Sequence, residues 1–223
     1  MNRRILFYGD SNTWGYRPGG GRIPANRRYT TMVTRQAVDV IPVVDGLNGR
    51  CSAWESDIFP PELLGGATLV ESLRKANSPD GLAIMLGTND IMPPLNLSRE
   101  AITANLRRMV QAARTECAGA LDLVIVCPPP LAPAAIENLV QSGEGDRKVL
   151  TADLSAPLRD LAAEEDIYFL DGGNIIEHMD AEDGFHLAEV GHLRIGLALG
   201  SLLRSLAARR PHMLHYISRR CCS

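Results

Sequence analysis

Four short polar turns, each marked by glycine, hold the residues of this chain best suited to chemistry. They are Gly9-Asp10-Ser11-Asn12-Thr13-Trp14-Gly15, Gly46-Leu47-Asn48-Gly49-Arg50, Gly87-Thr88-Asn89-Asp90 and Asp183-Gly184-Phe185-His186. Ser11 follows an apolar run at once, where a strand-to-helix turn can present a hydroxyl. Such a hydroxyl is a poor nucleophile until a base takes its proton. Ahead of the last fifteen residues there are only three histidines, His178, His186 and His192. His186 stands three residues after Asp183, just before a helical pattern. That spacing lets the carboxylate reach the imidazole Nδ1–H and leaves Nε2 to face Ser11, the roles of a Ser-His-Asp triad. Acyl transfer also needs donors for an oxyanion, and the Ser11 N–H, the Gly49 N–H and the Asn89 side-chain amide are the candidates. Asp10 reads as a hydrogen-bonding residue that orients the Ser11 turn. Trp14 and Trp54, the only tryptophans, lie in loops beside these turns, and an aromatic wall there would suit a small acyl ester. Each residue has a plainer reading too. Gly-Asp-Ser is a common turn, Asp-x-x-His often caps a helix, Asn89 could cap the next segment and Gly49 could merely turn the chain. His178 and His192 read as structural. The convergence of the four turns carries the argument.

The elements that would bring them together are five short apolar runs, Ile5 to Tyr8, Val38 to Val44, Leu82 to Leu86, Leu121 to Val126 and Ile167 to Leu170. They are continuous rather than alternating, which suits strands buried on both faces. Pro42 suggests an edge position for the second. Helical patterns fill the gaps: Ala67 to Ala76; an apolar stripe of Ile102, Leu106, Met109, Val110 and Ala113 after Ser98 as N-cap; Arg147 to Glu165, kinked or divided by Pro157; and Ala188 to Ala208. Gly196 and Gly200 in the last offer a small face for close packing. Arg17 to Asn26 and Pro128 to Gly145 read as linkers. Five βα units with right-handed crossovers predict an α/β three-layer sandwich around a flavodoxin-like doubly wound parallel sheet, order 2-1-3-4-5. Ligands of such a sheet sit outside the carboxyl ends of its strands, which is where all four turns fall.

The chain has 223 residues, a length for one domain over 1–208 followed by a basic tail, 209–223. Hydrophobic residues are 45% and charged residues 22%, ordinary for a soluble protein and against disorder or a coiled coil. The net charge is −3, and the tail holds four Arg and no acid. Without those four, nineteen basic residues face twenty-six acidic ones, so the body stands at −7. An acidic body has no footprint for nucleic acid, and no apolar run reaches the ~20 residues of a membrane span. The tail reads as a frayed or added end rather than a functional arm. Five cysteines without a C-x-x-C pair, and an apolar opening too short for a signal peptide, point to a reducing, cytoplasmic setting. Cys117 and Cys127 read as small buried hydrophobes. There is no Gly-Lys-Ser/Thr and no G-x-G-x-x-G for a nucleotide. Asp10, Asp90, Asp183 and His186 would make a poor zinc set, since only one of them is a histidine.

In order and separation the four turns resemble the blocks of the SGNH (GDSL-type) hydrolases, over nearly the whole body. A finer resemblance is to bacterial arylesterases of the perhydrolase and acyltransferase branch. It rests on Gly-Asp-Ser-x-Thr-Trp-Gly at 9–15, on Asp45-Gly46-Leu47-Asn48-Gly49-Arg50 and on Pro-Pro-Pro-Leu-Ala-Pro at 128–133. The resemblance implies Ser11 as nucleophile, His186 as general base and acid, Asp183 as orienting carboxylate, and Ser11, Gly49 and Asn89 as the oxyanion hole. It implies no cofactor and no metal, a small-molecule ester substrate, and a homo-oligomer. Short-chain, above all acetyl, esters are the expected substrates, with transfer to alcohols or peroxide as a side activity and carbohydrate O-acetyl esters as the alternative. The chain departs from the branch at Cys51-Ser52-Ala53-Trp54-Glu55-Ser56-Asp57, at Ile91-Met92-Pro93-Pro94 and in a compact Arg17 to Arg28 loop. Those segments would line the pockets.

Overall fold

A computed structural model describes residues 2–118 and 121–209. Five strands, β1 (Arg3–Gly9), β2 (Val40–Gly46), β3 (Gly81–Met85), β4 (Asp122–Cys127) and β5 (Tyr168–Asp171), form one sheet in the order β2-β1-β3-β4-β5, every pair parallel. This is the expected doubly wound α/β arrangement. Successive side chains of a strand point to opposite faces, and the inner strands are apolar on both. Leu6, Tyr8, Leu82, Ile84, Leu123 and Ile125 pack on one side against α3 (Gly65–Lys75), α5 (Arg99–Glu116) and α8 (Ser155–Glu164). Ile5, Phe7, Ala83, Met85, Val124 and Val126 pack on the other against α2 (Tyr29–Met32) and α9 (Glu189–Arg209). The remaining helices are short: α1 (Ser11–Trp14), α4 (Thr88–Ile91), α6 (Pro133–Gln141) and α7 (Arg147–Leu150).

Local chemistry explains most boundaries. Ser98 caps α5 by accepting from the Ala101 N–H at 3.2 Å, and the stripe Ile102, Leu106, Met109, Val110 and Ala113 is wholly buried. In α9, a Cβ on Gly196 would meet Tyr29 and Met32, and one on Gly200 would meet Val33 and Gln36, so the expected small face lets α2 lie close. β2 is an edge strand. Leu47 N–H donates to the Gly9 carbonyl, so Pro42, of opposite parity, turns its missing N–H away from the sheet.

Most boundaries shift by a residue or two, and three of the differences have a clear physical reason. β2 begins at Val40, not Val38, and the Val38 side chain is 87% exposed in the preceding turn. The helical pattern from Arg147 to Glu165 divides at Thr151–Leu154, before Pro157. Pro157 sits in the first turn of α8, where its missing N–H leaves no helix bond unmade. The stretch from Pro128 to Gly145 contains α6, with Pro133 in its first turn and a run of good helix formers behind it. The expected tail lies, beyond Arg209, outside the described residues. Among the described residues no helix is long and apolar enough to cross a membrane.

Candidate active site

Ser11 opens α1 directly beyond β1. Asp10 caps that single turn, its Oδ1 accepting from the Asn12 N–H at 2.9 Å. The turn presses on the end of β2: a Cβ on Gly46 would lie 2.2 Å from the Trp14 nitrogen, so only glycine fits there. Deeper, Thr13 Oγ1 shares a 2.8 Å hydrogen bond with the Tyr29 hydroxyl.

His186 reaches Ser11 from across the chain. Its Nε2 lies 2.9 Å from Ser11 Oγ, and its Nδ1 lies 2.8 Å from Asp183 Oδ2. An ionised carboxylate can only accept, so Nδ1 carries the hydrogen and Nε2 is left to accept from the serine hydroxyl. The other oxygen of Asp183 accepts from the Phe185 and His186 N–H groups at 3.0 and 3.1 Å, which folds the loop into a tight turn. The structure therefore joins Ser11, His186 and Asp183 in one hydrogen-bonded chain, partly shielded from water.

The turns carrying Gly49 and Asn89 are tied to each other. Gly49 has φ +82°, a left-handed conformation that favours glycine. Asn89 Nδ2 donates to the Arg50 carbonyl at 3.0 Å, one residue further on, and its second amide hydrogen is left for another acceptor. The Arg50 side chain ties the ends of β1 and β2 together. Its guanidinium donates to the carbonyls of Gly9 (3.0 Å) and Asp45 (2.7 Å) and to Asp45 Oδ1 (2.8 Å), with its plane 4.1 Å from the Tyr8 ring centre. Asp90 is fully buried and accepts from the Ser52 N–H at 2.8 Å and the Ser52 hydroxyl at 2.5 Å. Burial pushes the carboxyl of Asp10 up to about 7 and that of Asp90 up to about 6.

Several of these residues have a place here that the sequence alone does not give them. Arg50 on the Gly9 carbonyl and Ser52 on Asp90 are buried polar ties between residues 41 and 38 apart in the chain; the local signal is a cation and a carboxylate inside otherwise glycine-rich turns. Tyr16 lies with its ring 4.3 Å from the His186 ring, tilted by 30°, and 6.4 Å from the Trp14 ring. Arg22 covers Trp14 at 4.3 Å. Trp14 thus adjoins the site through Tyr16. Trp54 takes a packing role instead. Its indole lies against Gly66, donates to the Asn105 carbonyl at 3.3 Å and is covered by Arg108. His192 is structural: its buried Nδ1 accepts from the Tyr29 N–H at 3.1 Å, and burial holds its pKa down at about 4. Among the described residues no group of three or more His, Cys, Asp or Glu side chains could hold a metal ion.

A cavity of about 640 Å³ lies beside this chain of hydrogen bonds rather than on it. Pro128, Pro129, Pro130, Leu150 and Leu154 make its apolar wall, and Arg159, Asp171, Asn174 and His178 its polar end. It meets the site through Thr88, the neighbour of Asn89. Thr88 Oγ1 is buried without a hydrogen-bond partner among the described residues.

Comparison with known proteins finds esterases and acylhydrolases. Residues 7–194 match the GDSL-like lipase/acylhydrolase family. An isoamyl acetate-hydrolyzing esterase 1 homolog of Bos taurus is 27% identical, over 96% of this chain and 86% of the relative. The solved aryl esterase of M. smegmatis is 30% identical with a TM-score of 0.80, over 92% of this chain and 99% of that one. A carbohydrate acetylesterase family member from Sinorhizobium meliloti is 29% identical with a TM-score of 0.80, over 93% and 100%.

Proposed function

This chain belongs to the GDSL-like lipase/acylhydrolase family, and from that premise we propose that it is a serine esterase acting on short-chain, above all acetyl, esters. Ser11 Oγ attacks the ester carbonyl while its proton passes to His186 Nε2. Asp183 holds the imidazole in the required tautomer and balances the imidazolium that forms. The oxyanion rests on the Ser11 and Gly49 N–H groups and the Asn89 amide. Collapse expels the alcohol, which takes its proton from His186. Water, activated by the same imidazole, then releases the acyl group from Ser11. An alcohol or peroxide in place of that water gives acyl transfer.

The hydrogen-bonded chain from Asp183 Oδ2 through His186 to Ser11 Oγ carries this reading. A buried serine gains an oriented base there, and a base must lie within hydrogen-bond reach of the proton it takes. Ser11→Ala is expected to lower turnover of an aryl acetate by ~10⁴-fold or more, as loss of a triad member does. A folded variant with near-wild-type turnover would overturn the proposal.

One observation favours a second substrate class for the same machinery. The cavity beside Thr88 pairs an apolar proline wall with a guanidinium, an amide and an imidazole, a mixture suited to a sugar carrying an O-acetyl group. Comparing kcat/KM for aryl acetates with that for acetylated sugars separates the two readings.

A further inference from the structure

We propose that Asn12 is the positioning residue that holds the general base against the nucleophile, an inference that rests on the serine-esterase reading above. Asn12 directly follows Ser11 and is 1% exposed. Its side chain points across the site to the loop that carries His186. Asn12 Nδ2 donates to the Phe185 carbonyl at 3.2 Å, and Asn12 Oδ1 accepts from the Leu187 N–H at 2.8 Å. Those two backbone groups stand one on each side of His186. The other end of the clamp is equally fixed, because the Asn12 N–H is bound to Asp10 Oδ1.

The remaining hydrogen bonds of the loop do not reach the turn that carries Ser11. Asp183 Oδ1 holds Phe185 and His186, Asp180 N–H donates to the His186 carbonyl, and Gly184 N–H donates to the Asp180 carbonyl, all inside the loop. Ala132 N–H donates to the Gly184 carbonyl and Met179 N–H to the Pro130 carbonyl, which moors the loop to the segment after β4. Tyr16 covers a face of the imidazole without bonding its backbone. Among the described residues, the hydrogen bonds that join residues 10–15 to residues 180–188 are the Ser11–His186 contact itself and the two made by Asn12. A carboxamide offers a donor group and an acceptor group side by side, as a carbonyl and an N–H on either side of a residue require. Aspartate keeps only the acceptor, and leucine has neither.

Asn12→Leu and Asn12→Asp in the full chain test this with an aryl acetate. Active sites are counted by titration with a fluorophosphonate, so that kcat is read per competent site. Misplacing a catalytic group by about 1 Å can cost about 100-fold, so Asn12→Leu is expected to lower kcat per site by ~10- to 100-fold, with KM within about twofold. Phosphonylation of Ser11 should slow by a similar factor. The acid limb of the pH profile should stay in place, because Asp183 and His186 travel together on one loop. Asn12→Asp keeps the bond to Leu187 and is read on the plateau above that limb, with a smaller loss; it decides the matter if Asn12→Leu fails to fold. A per-site kcat more than about threefold below wild type, with the KM pattern above, supports the clamp. A per-site kcat within about threefold of wild type overturns it, whether or not the variant melts earlier or yields fewer titratable sites, since those changes alone mark a purely structural residue. The serine-esterase reading fails separately, if the wild-type chain takes no phosphonate on Ser11.

Discussion

Ser11, Gly49 and Asn89 stand on turns at the ends of three neighbouring strands, β1, β2 and β3, and buried polar groups lock those turns to one another. Arg50 grips the Gly9 carbonyl, Asn89 grips the Arg50 carbonyl, and Asp90 grips Ser52. Asp183 and His186 are carried differently, on a partly exposed loop between β5 and α9 whose hydrogen bonds are mostly its own. The strand-borne half inherits its geometry from sheet register and a sealed network. The loop-borne half has the right internal shape but must borrow its distance to Ser11 from elsewhere. On this view precision on one side of the reaction is a property of the fold, and on the other of one or two side chains.

Asn89→Ala breaks the strand-borne half where it touches chemistry. It removes the proposed oxyanion donor and the tie to Arg50 together, so kcat for an aryl acetate is expected to fall ~10²- to 10³-fold. A loss of less than about threefold would show that the donor set lies elsewhere.

A smaller effect sharpens the same comparison through stability. The folded chain holds the Asp10 proton up to about pH 7, whereas an unfolded aspartate releases it near 3.8. Between those values the folded state binds more protons, so this group's contribution to stability declines as pH rises through the window. Asp90, raised to about 6, acts in the same direction. His192 acts oppositely, because the unfolded chain protonates from about 6.5 downward and the folded chain only near 4, so its contribution is lost as pH falls. Asp10→Asn keeps an acceptor for the Asn12 N–H and removes the buried charge. The melting temperature of the variant relative to wild type should be higher at pH 8 than at pH 5, by on the order of a few °C. An equal difference at both pH values would mean that burial does not hold the Asp10 proton.

The uneven legibility of the sequence follows the same division. Continuous apolar runs mark the five strands, because strands buried on both faces have no polar side to interrupt them. The right-handed crossover rule orders them, and the strand ends then name the rim. Ser11, Asp183 and His186 stand out by residue type in glycine-marked turns. Asn12 does not, because a turn asparagine looks like any other and its partners lie about 175 residues away. Tyr16 reads as one more aromatic until the loop closes on it. Trp54 shows the converse. Its place beside Gly49 suggested a pocket wall, but Gly66, Asn105 and Arg108 draw the ring into packing. α6 hides behind three prolines whose chain-breaking signal is stronger than the helical pattern that follows.

The central claim is that one hydroxyl among the many in this chain is activated, and covalent labelling reads that directly. The protein is treated with a fluorophosphonate near neutral pH, and its intact mass and modified peptide are measured. A single adduct is expected, on Ser11, absent from Ser11→Ala. An unmodified Ser11, or an adduct on another residue with activity lost in step, would contradict it.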